Sequence, residues 1–364
     1  PLYTDRELEH QLNDSGSTYL VCLDVLAPRM IALREKTGVK TIISCHIRDY
    51  LPFFLKLLFP YVKKGMHLKT PAASDVVEFM DLVKGHEPIK VPHKPEWEDT
   101  AVLLYTGGTT GVSKGVQITH SNLSCNVQQC GAWFPGFSQG QEVAIGCLPF
   151  FHSFGMTTAM NISIFYGWAN VLIPKPEPKA ILDGIQNYKA TFMPAVPTLY
   201  NGLINYPDLK KYDLTSLRGC FSGGAPLPLE TIRSFEKLTG AQICEGYGLT
   251  ESSPVTHINP FGAKTKPGTI GLPIPNTDAK LMDVDDYDRE ITEPGAPGEL
   301  CLKGPQIMKG YINRPEETAV TLKDGWLLTG DIAAVDEEGY FYIVDRKKDM
   351  IISGGFNIYP REID

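Results

Sequence analysis

No stretch of this chain is long and apolar enough to cross a bilayer, because a helical span needs about 20 apolar residues. The longest apolar stretch, Leu51–Val62, is broken by Lys56 and Pro60. Also missing is any C-x-x-C pair among the eight cysteines, which excludes a zinc knuckle and argues against a disulfide framework. Reduced thiols in a cytoplasmic protein are the expectation. There is no excess of positive charge. The formal net charge is −8, which excludes a broad phosphate-neutralising face for nucleic acid but leaves room for a local cationic pocket. The chain opens on Pro1 without a charged-then-apolar signal pattern, and it holds neither an internal repeat nor a low-complexity tract. An internal piece of a longer protein is the expectation.

What is present suits compact folding. At 364 residues and 43% hydrophobic, the chain has material for two or three cores, and a disordered reading is excluded. The 34 glycines and 28 prolines predict many tight turns. Thr4-Asp5-Arg6-Glu7 is a capping box opening a helix with Leu8 and Leu12 on one face. Strand Tyr19–Leu23, helix 25–37 and strand 39–44 follow. The alternation returns as helix 181–188, strand 191–193, helix 199–206, strand Gly219–Ser222 and helix 228–239, which predicts α/β architecture with parallel sheets. Beyond residue 259 the pattern becomes short strands at 279–283, 299–303, 326–328 and 340–344, with a hairpin tip at Asp336–Gly339. That spacing predicts an appended small β-barrel. The boundaries are therefore set at 1–258, 259–345 and 346–364.

The strongest chemical signal is Tyr105-Thr106-Gly107-Gly108-Thr109-Thr110-Gly111-Val112-Ser113-Lys114-Gly115, between strands at 101–104 and 116–119. Glycines let backbone amides face inward, hydroxyls add donors, and Lys114 adds a mobile cation, a combination suited to a polyphosphate. It is not a Walker A loop, since a strand follows rather than a helix. Two further Gly-rich segments, Ser222-Gly223-Gly224-Ala225-Pro226 and Glu245-Gly246-Tyr247-Gly248-Leu249-Thr250-Glu251, read as turns at strand ends, where open α/β sheets bind ligands. Tyr247 offers a flat face for a base, and Glu251 an oxygen for a hard cation such as Mg²⁺.

In this order, with Thr329-Gly330-Asp331 and Asp345-Arg346-Lys347-Lys348-Asp349, these segments resemble the acyl-adenylate-forming superfamily of acyl-CoA synthetases, luciferases and peptide-synthetase adenylation domains. Pro1-Leu2-Tyr3-Thr4, Leu12-Asn13-Asp14-Ser15-Gly16 and Gly355-Phe356-Asn357-Ile358-Tyr359-Pro360 make it most similar to bacterial long-chain fatty-acid–CoA ligases. The resemblance implies an αβαβα large domain, a distorted β-barrel subdomain and the start of an α+β lid. It implies that ATP and a fatty acid give acyl-AMP, which CoA converts to a thioester. Thr106, Gly107, Gly108, Thr109, Thr110, Gly111, Ser113 and Lys114 would then hold the β- and γ-phosphates. Gly224, Ala225 and Pro226 would flank adenine opposite Tyr247, with Glu245, Gly246 and Gly248 beside it. Thr250 would touch the α-phosphate, Glu251 and Thr109 would serve Mg²⁺, and Asp331 and Arg346 would fix the ribose. Phe151, His152 and Gly223 would border the acyl pocket, and Lys348 would be the hinge. The resemblance departs where Ile352 replaces a lysine of many relatives, and where the late Pro-Lys…Gly-Lys stretch has no match. A fragment retaining little adenylation of its own is expected.

Rival readings are weaker. An aryl acid is the alternative substrate. Gly136-Phe137-Ser138-Gln139-Gly140 matches the nucleophile-elbow string of a serine hydrolase, but a helix should follow and an extended segment does. Asp283, Asp285, Asp286 and Asp288 lack the glycine and closing glutamate of a calcium loop and read as a solvated turn. Residues 51–64, with Phe53, Phe54, Phe59 and Tyr61 beside Lys56, Lys63 and Lys64, suggest an amphipathic patch for peripheral contact at the inner membrane surface, an ordinary packed helix being the alternative. The oligomeric state is open, a homodimer being one alternative.

Overall fold

A computed structural model of the chain describes residues 3–71, 73, 75–84, 87, 94–106, 112–348, 351–353 and 356–358. Two compact units emerge, residues 1–96 with 105–115, and residues 97–104 with 116–364.

In the first unit the capping box forms as expected: the Thr4 hydroxyl accepts from the Glu7 amide at 3.3 Å, and the Glu7 carboxylate accepts from the Thr4 amide at 2.7 Å. It opens the helix Asp5–Asp14. Strands Tyr19–Leu23, Thr41–Cys45 and Val76–Glu78 lie parallel in chain order, Tyr19 opposite Thr41 and Ile42 opposite Val76. Helix 25–37 is shorter than expected. A 3₁₀ turn, Asp24–Leu26, precedes the helix Ala27–Arg34, because Pro28 lacks an amide proton and fits only the first helical turn. Leu12, Met30, Leu33, Val39 and Ile42 form this unit's core. Helix Phe53–Val62 buries none of its residues; Phe53, Phe54 and Tyr61 are 70%, 77% and 76% exposed.

The second unit is built on a seven-stranded sheet. Val143–Gly146, Ala169–Leu172, Phe192–Ala195, Gly219–Ser222 and Gln242–Gly248 run parallel, in the spatial order second, first, third, fourth, fifth. That is a doubly wound order, with ligand crevices at the strands' carboxyl ends. Successive residues of one strand point to opposite faces. Accordingly Ile145, Met193, Cys220 and Ile243 join one core with Ile181, Leu182, Tyr200 and Phe235. Their neighbours Ala144, Phe192, Phe221 and Cys244 join a second core with Cys130, Phe134 and Ile162. Helices therefore cover both faces, as the α/β alternation predicted. Two of them start earlier than expected, at Pro178 and Pro197, since proline is pre-shaped for the first helical turn.

Val255–Ile258 and Leu272–Pro273 extend this sheet antiparallel at one edge. The antiparallel second sheet comprises Asp278–Met282, Glu290–Ile291, Gly298–Lys303, Leu322–Lys323, Trp326–Val335 and Phe341–Arg346. Strand 326–328 thus continues to Val335, through Gly330 at φ +71°. Glu299 pairs with Ile332 but Cys301 with Leu328, so extra residues around Thr329–Asp331 bulge out of register. The hairpin tip at Asp336–Gly339 forms, its Gly339 amide donating to the Asp336 carbonyl at 3.0 Å.

Candidate active site

The second unit's sheet delivers three expected segments at strand ends. Phe151 and His152 follow Val143–Gly146, the Gly223–Pro226 turn follows Gly219–Ser222, and Glu245–Gly248 completes Gln242–Gly248. Gly224 turns the chain at φ +84°, a conformation costly for any residue with a Cβ. A Cβ on Gly223 would stand 3.1 Å from the Phe154 ring, so this turn abuts the segment after His152. The Ser222 hydroxyl is buried and has no partner among the described residues.

Glu245–Gly248 corrects the sequence reading, being strand rather than turn. The reason is Gly246. A Cβ there would lie 2.7 Å from the His257 carbonyl and would strike the Phe221 ring, so this glycine serves close strand pairing. Tyr247 stands opposite His257, and the register slips immediately after it. Its hydroxyl donates to the Asp331 carboxylate at 2.6 Å. Burial, and then the Asp331 charge, push the Tyr247 pKa well above its usual value, which keeps the phenol a donor. Asp331 in turn lies directly across the strand pair from Arg346, whose Nε is 3.4 Å from Asp331 Oδ1. Three residues far apart in sequence therefore converge.

The bulge that aims Asp331 is held by a group the sequence reading missed. Buried Glu299 accepts from the Gly330 amide at 3.1 Å and from the Lys347 ammonium at 2.9 Å, and it also pairs with the Tyr287 hydroxyl. An acidic residue at an inward position of the strand Gly298–Lys303 was the signal available, since buried carboxylates need partners.

Other expected residues take distinct places. Glu245 accepts from the Leu227 amide at 3.2 Å and from the Gly268 amide at 3.0 Å, one through each oxygen. Desolvation raises its pKa against those two bonds, and the side chain braces the loops around the turn. Glu251 accepts from the Tyr311 hydroxyl at 2.8 Å, and its carbonyl accepts from the Met308 amide at 2.8 Å. The second Glu251 carboxylate oxygen has no partner among the described residues, which suits a hard cation that retains most of its waters. Tyr311, which orients this carboxylate, was not foreseen. The Thr250 and Ser153 hydroxyls approach to 3.4 Å.

His152 caps a short helix, its Nδ1 accepting from the Phe154 amide at 3.2 Å. The proton of the neutral ring therefore sits on Nε2. His152 and Phe151 are exposed rather than packed in a core, yet partial desolvation still lowers the His152 pKa. The following helix widens into a π turn at Met156–Asn161, where Thr157 donates to the Ser253 carbonyl at 2.7 Å. Such turns are frequent at functional sites.

Thr106 is the last residue of the strand Thr100–Thr106, and Lys114 the first of Lys114–Thr119. Gly107, Gly108, Thr109, Thr110 and Gly111 lie outside the described residues. The Ser113 carbonyl accepts from His10 Nε2 at 2.8 Å, and the Tyr105 hydroxyl donates to Asp14 at 2.9 Å. Lys348 is exposed just past the strand Phe341–Arg346, and Ile352 pairs with Asn357 in a two-stranded ribbon. Ser138 sits in a loop with its amide on Glu142 and no helix following, so the elbow context fails. The aspartates at 283–288 form a turn in which Asp283 accepts from the Asp285 amide at 2.9 Å.

The sequence profile described as AMP-binding enzyme matches residues 1–312. A long-chain-fatty-acid–CoA ligase of Bacillus subtilis is 46% identical over 100% of this chain, and one of Escherichia coli O157:H7 is 42% identical over the same share. The chain spans 65% of the length of each. The crystal structure of ATP-bound MatB from Rhodopseudomonas palustris superposes on all of this chain and on 65% of its own, with a TM-score of 0.82 at 30% identity. The chain belongs to the AMP-binding enzyme family.

Proposed function

We propose that this chain is the nucleotide- and acid-activating part of an AMP-forming fatty-acid–CoA ligase. The observation that carries the reading is the Tyr247–Asp331 hydrogen bond, with Arg346 across the strand pair, beside a Gly223–Gly224 turn at a parallel strand's carboxyl end. Relatives named as long-chain-fatty-acid–CoA ligases favour fatty over aryl acids. A substrate carboxylate is its own nucleophile, so the protein needs no base. Its work is positioning and charge stabilisation at the α-phosphorus.

In this reading the Tyr247 ring carries adenine against Gly224, Ala225 and Pro226, while Asp331 and Arg346 hold the ribose. Lys114, with the Thr106–Ser113 backbone amides and hydroxyls, neutralises the β- and γ-phosphates. Thr250 donates to the α-phosphate, and the His152 Nε2 proton faces the acyl carboxylate. Glu251, with Thr109, would hold Mg²⁺, and the ion when bound would supply positive charge to offset that of the phosphates. CoA then attacks the acyl carbon and releases AMP. The test is AMP release by the full-length gene product over a panel of carboxylic acids. Long-chain fatty acids are expected to give sustained AMP release only with CoA. Preference for an aryl acid would replace the substrate assignment, and no AMP from any acid would end the reading.

The exposed helix Phe53–Val62 favours peripheral lipid contact, with Lys63 and Lys64 beside its aromatic side chains. The chain is expected to sediment with anionic liposomes. The double substitution Phe53→Asp/Phe59→Asp should abolish this, and unchanged sedimentation would remove the membrane role.

A further inference from the structure

The first unit carries a second constellation, unrelated to the Gly-rich segments. Its three parallel strands each deliver a titratable residue at the carboxyl end: Asp24 just after Tyr19–Leu23, His46 just after Thr41–Cys45, and Glu78 as the last residue of Val76–Glu78. This is the edge of an open α/β sheet where ligands bind. His67 reaches it from the loop beyond Phe53–Val62. Asp24 and His46 are only 1% and 6% exposed.

The hydrogen-bond inventory is unusual. One oxygen of Asp24 faces His46 Nδ1 at 2.8 Å, His67 Nδ1 at 2.9 Å and the Leu68 amide at 2.9 Å. Its other oxygen accepts from the Val25 amide at 2.9 Å. On the far side of its ring, His46 Nε2 lies 2.8 Å from a Glu78 oxygen and 3.2 Å from the Thr70 hydroxyl. Both nitrogens of His46 therefore face carboxylates. A neutral imidazole has one N–H and can serve only one of them. An imidazolium would donate to both carboxylates, and a divalent cation satisfies the same geometry in another way, because Nδ1 becomes a ligand and Nε2–H donates to Glu78. A ligating histidine whose other nitrogen is held by a carboxylate is the usual support of a metal centre. The candidate ligand atoms of Asp24, His46 and His67 all lie within 4.8 Å of one another.

We propose that Asp24, His46 and His67 bind a late first-row divalent cation, Zn²⁺ in the first instance, with Glu78 orienting His46. Two imidazoles and a carboxylate suit such ions, and three protein ligands leave one tetrahedral position for water. His67, with 16% of its side chain exposed, marks the side open to solvent. The bound ion ties the His67 loop to the sheet edge.

The test uses the 364-residue chain stripped of metal by a chelator and titrated with Zn²⁺ against a chromophoric competitor, with Co²⁺ as a spectroscopic probe. One Zn²⁺ per chain and a tetrahedral Co²⁺ spectrum without a sulfur charge-transfer band are expected. His67→Gln, at the least buried ligand, should weaken binding at least 100-fold. Glu78→Gln should weaken it about 10- to 100-fold with stoichiometry kept, the loss typical of an outer-shell partner. Absence of wild-type binding overturns the proposal, as does His67→Gln binding as tightly as wild type. A sulfur-to-cobalt band overturns it too, since the ion would then sit on Cys22 or Cys45 of the neighbouring strands.

Discussion

Exchanging Asp331 for asparagine is expected to weaken binding of a nonhydrolysable ATP analogue by about 10- to 100-fold, measured by calorimetry, while the urea unfolding midpoint barely moves. Asparagine keeps a carbonyl oxygen to accept the Tyr247 hydroxyl, so the 2.6 Å bond that fixes the ring survives. What is lost is the negative charge. A hydrogen bond to a charged group contributes about 1.5–3 kcal/mol, and roughly 1.4 kcal/mol is a factor of ten. The ion pair with Arg346 adds little to stability, because the Arg346 side chain is 60% exposed. Tyr247→Phe is the partner control. It removes the hydroxyl, keeps the stacking face and should cost less affinity than Asp331→Asn. Unchanged nucleotide affinity in Asp331→Asn would make the carboxylate a brace for the bulge and leave the ribose without its proposed contact.

The parts of the fold legible in the sequence were those whose signal is local. A capping box and a switch between helical and strand periods each sit within a short stretch of chain, so they can be recognised before any tertiary contact is known. The α/β layering followed for the same reason, because strands such as Phe192–Ala195 are buried on both faces and read as continuous apolar runs. Glycine was the main source of error. Gly246 and Gly330 look like turn residues, yet one makes room for a neighbouring carbonyl and the other sits in a bulge inside a long strand. Both roles depend on what stands opposite, which a single strand does not reveal. Proline sets helix starts that the apolar periodicity placed elsewhere: Pro28, Pro178 and Pro197 each lie in a first helical turn. The residues missed altogether, Tyr311 for Glu251 and Glu299 for the Gly330 amide, lie 60 and 31 positions from their partners. The Asp24–His46–His67 cluster assembles only because two parallel strands end together and the loop carrying His67 folds back onto that edge.

His257 gives the second large effect. It lies behind Tyr247, wholly buried, its ring 4.9 Å from that of Phe341 and its Nδ1 3.0 Å from the Thr256 hydroxyl. Its Nε2 is buried with no partner among the described residues. Burial opposes the charged ring and pushes the pKa down to about 3. An unfolded histidine titrates near 6.5, so below that pH the unfolded chain takes up a proton that the folded chain refuses. Stability from this residue is complete above about pH 6.5 and is lost as pH falls toward 3, at about 1.4 kcal/mol per unit. Between pH 6.5 and 4.5 the loss amounts to about 2–3 kcal/mol. Other groups also titrate there, so the informative quantity is the difference between wild type and His257→Leu, which has no ring to protonate and no orphaned nitrogen. In urea unfolding across that range, wild type should lose stability relative to the variant by about 2–3 kcal/mol. Parallel curves would mean that the buried ring is already protonated when folded, or that water reaches it, and Tyr247 would then rest against a wet, charged neighbour rather than a dry one.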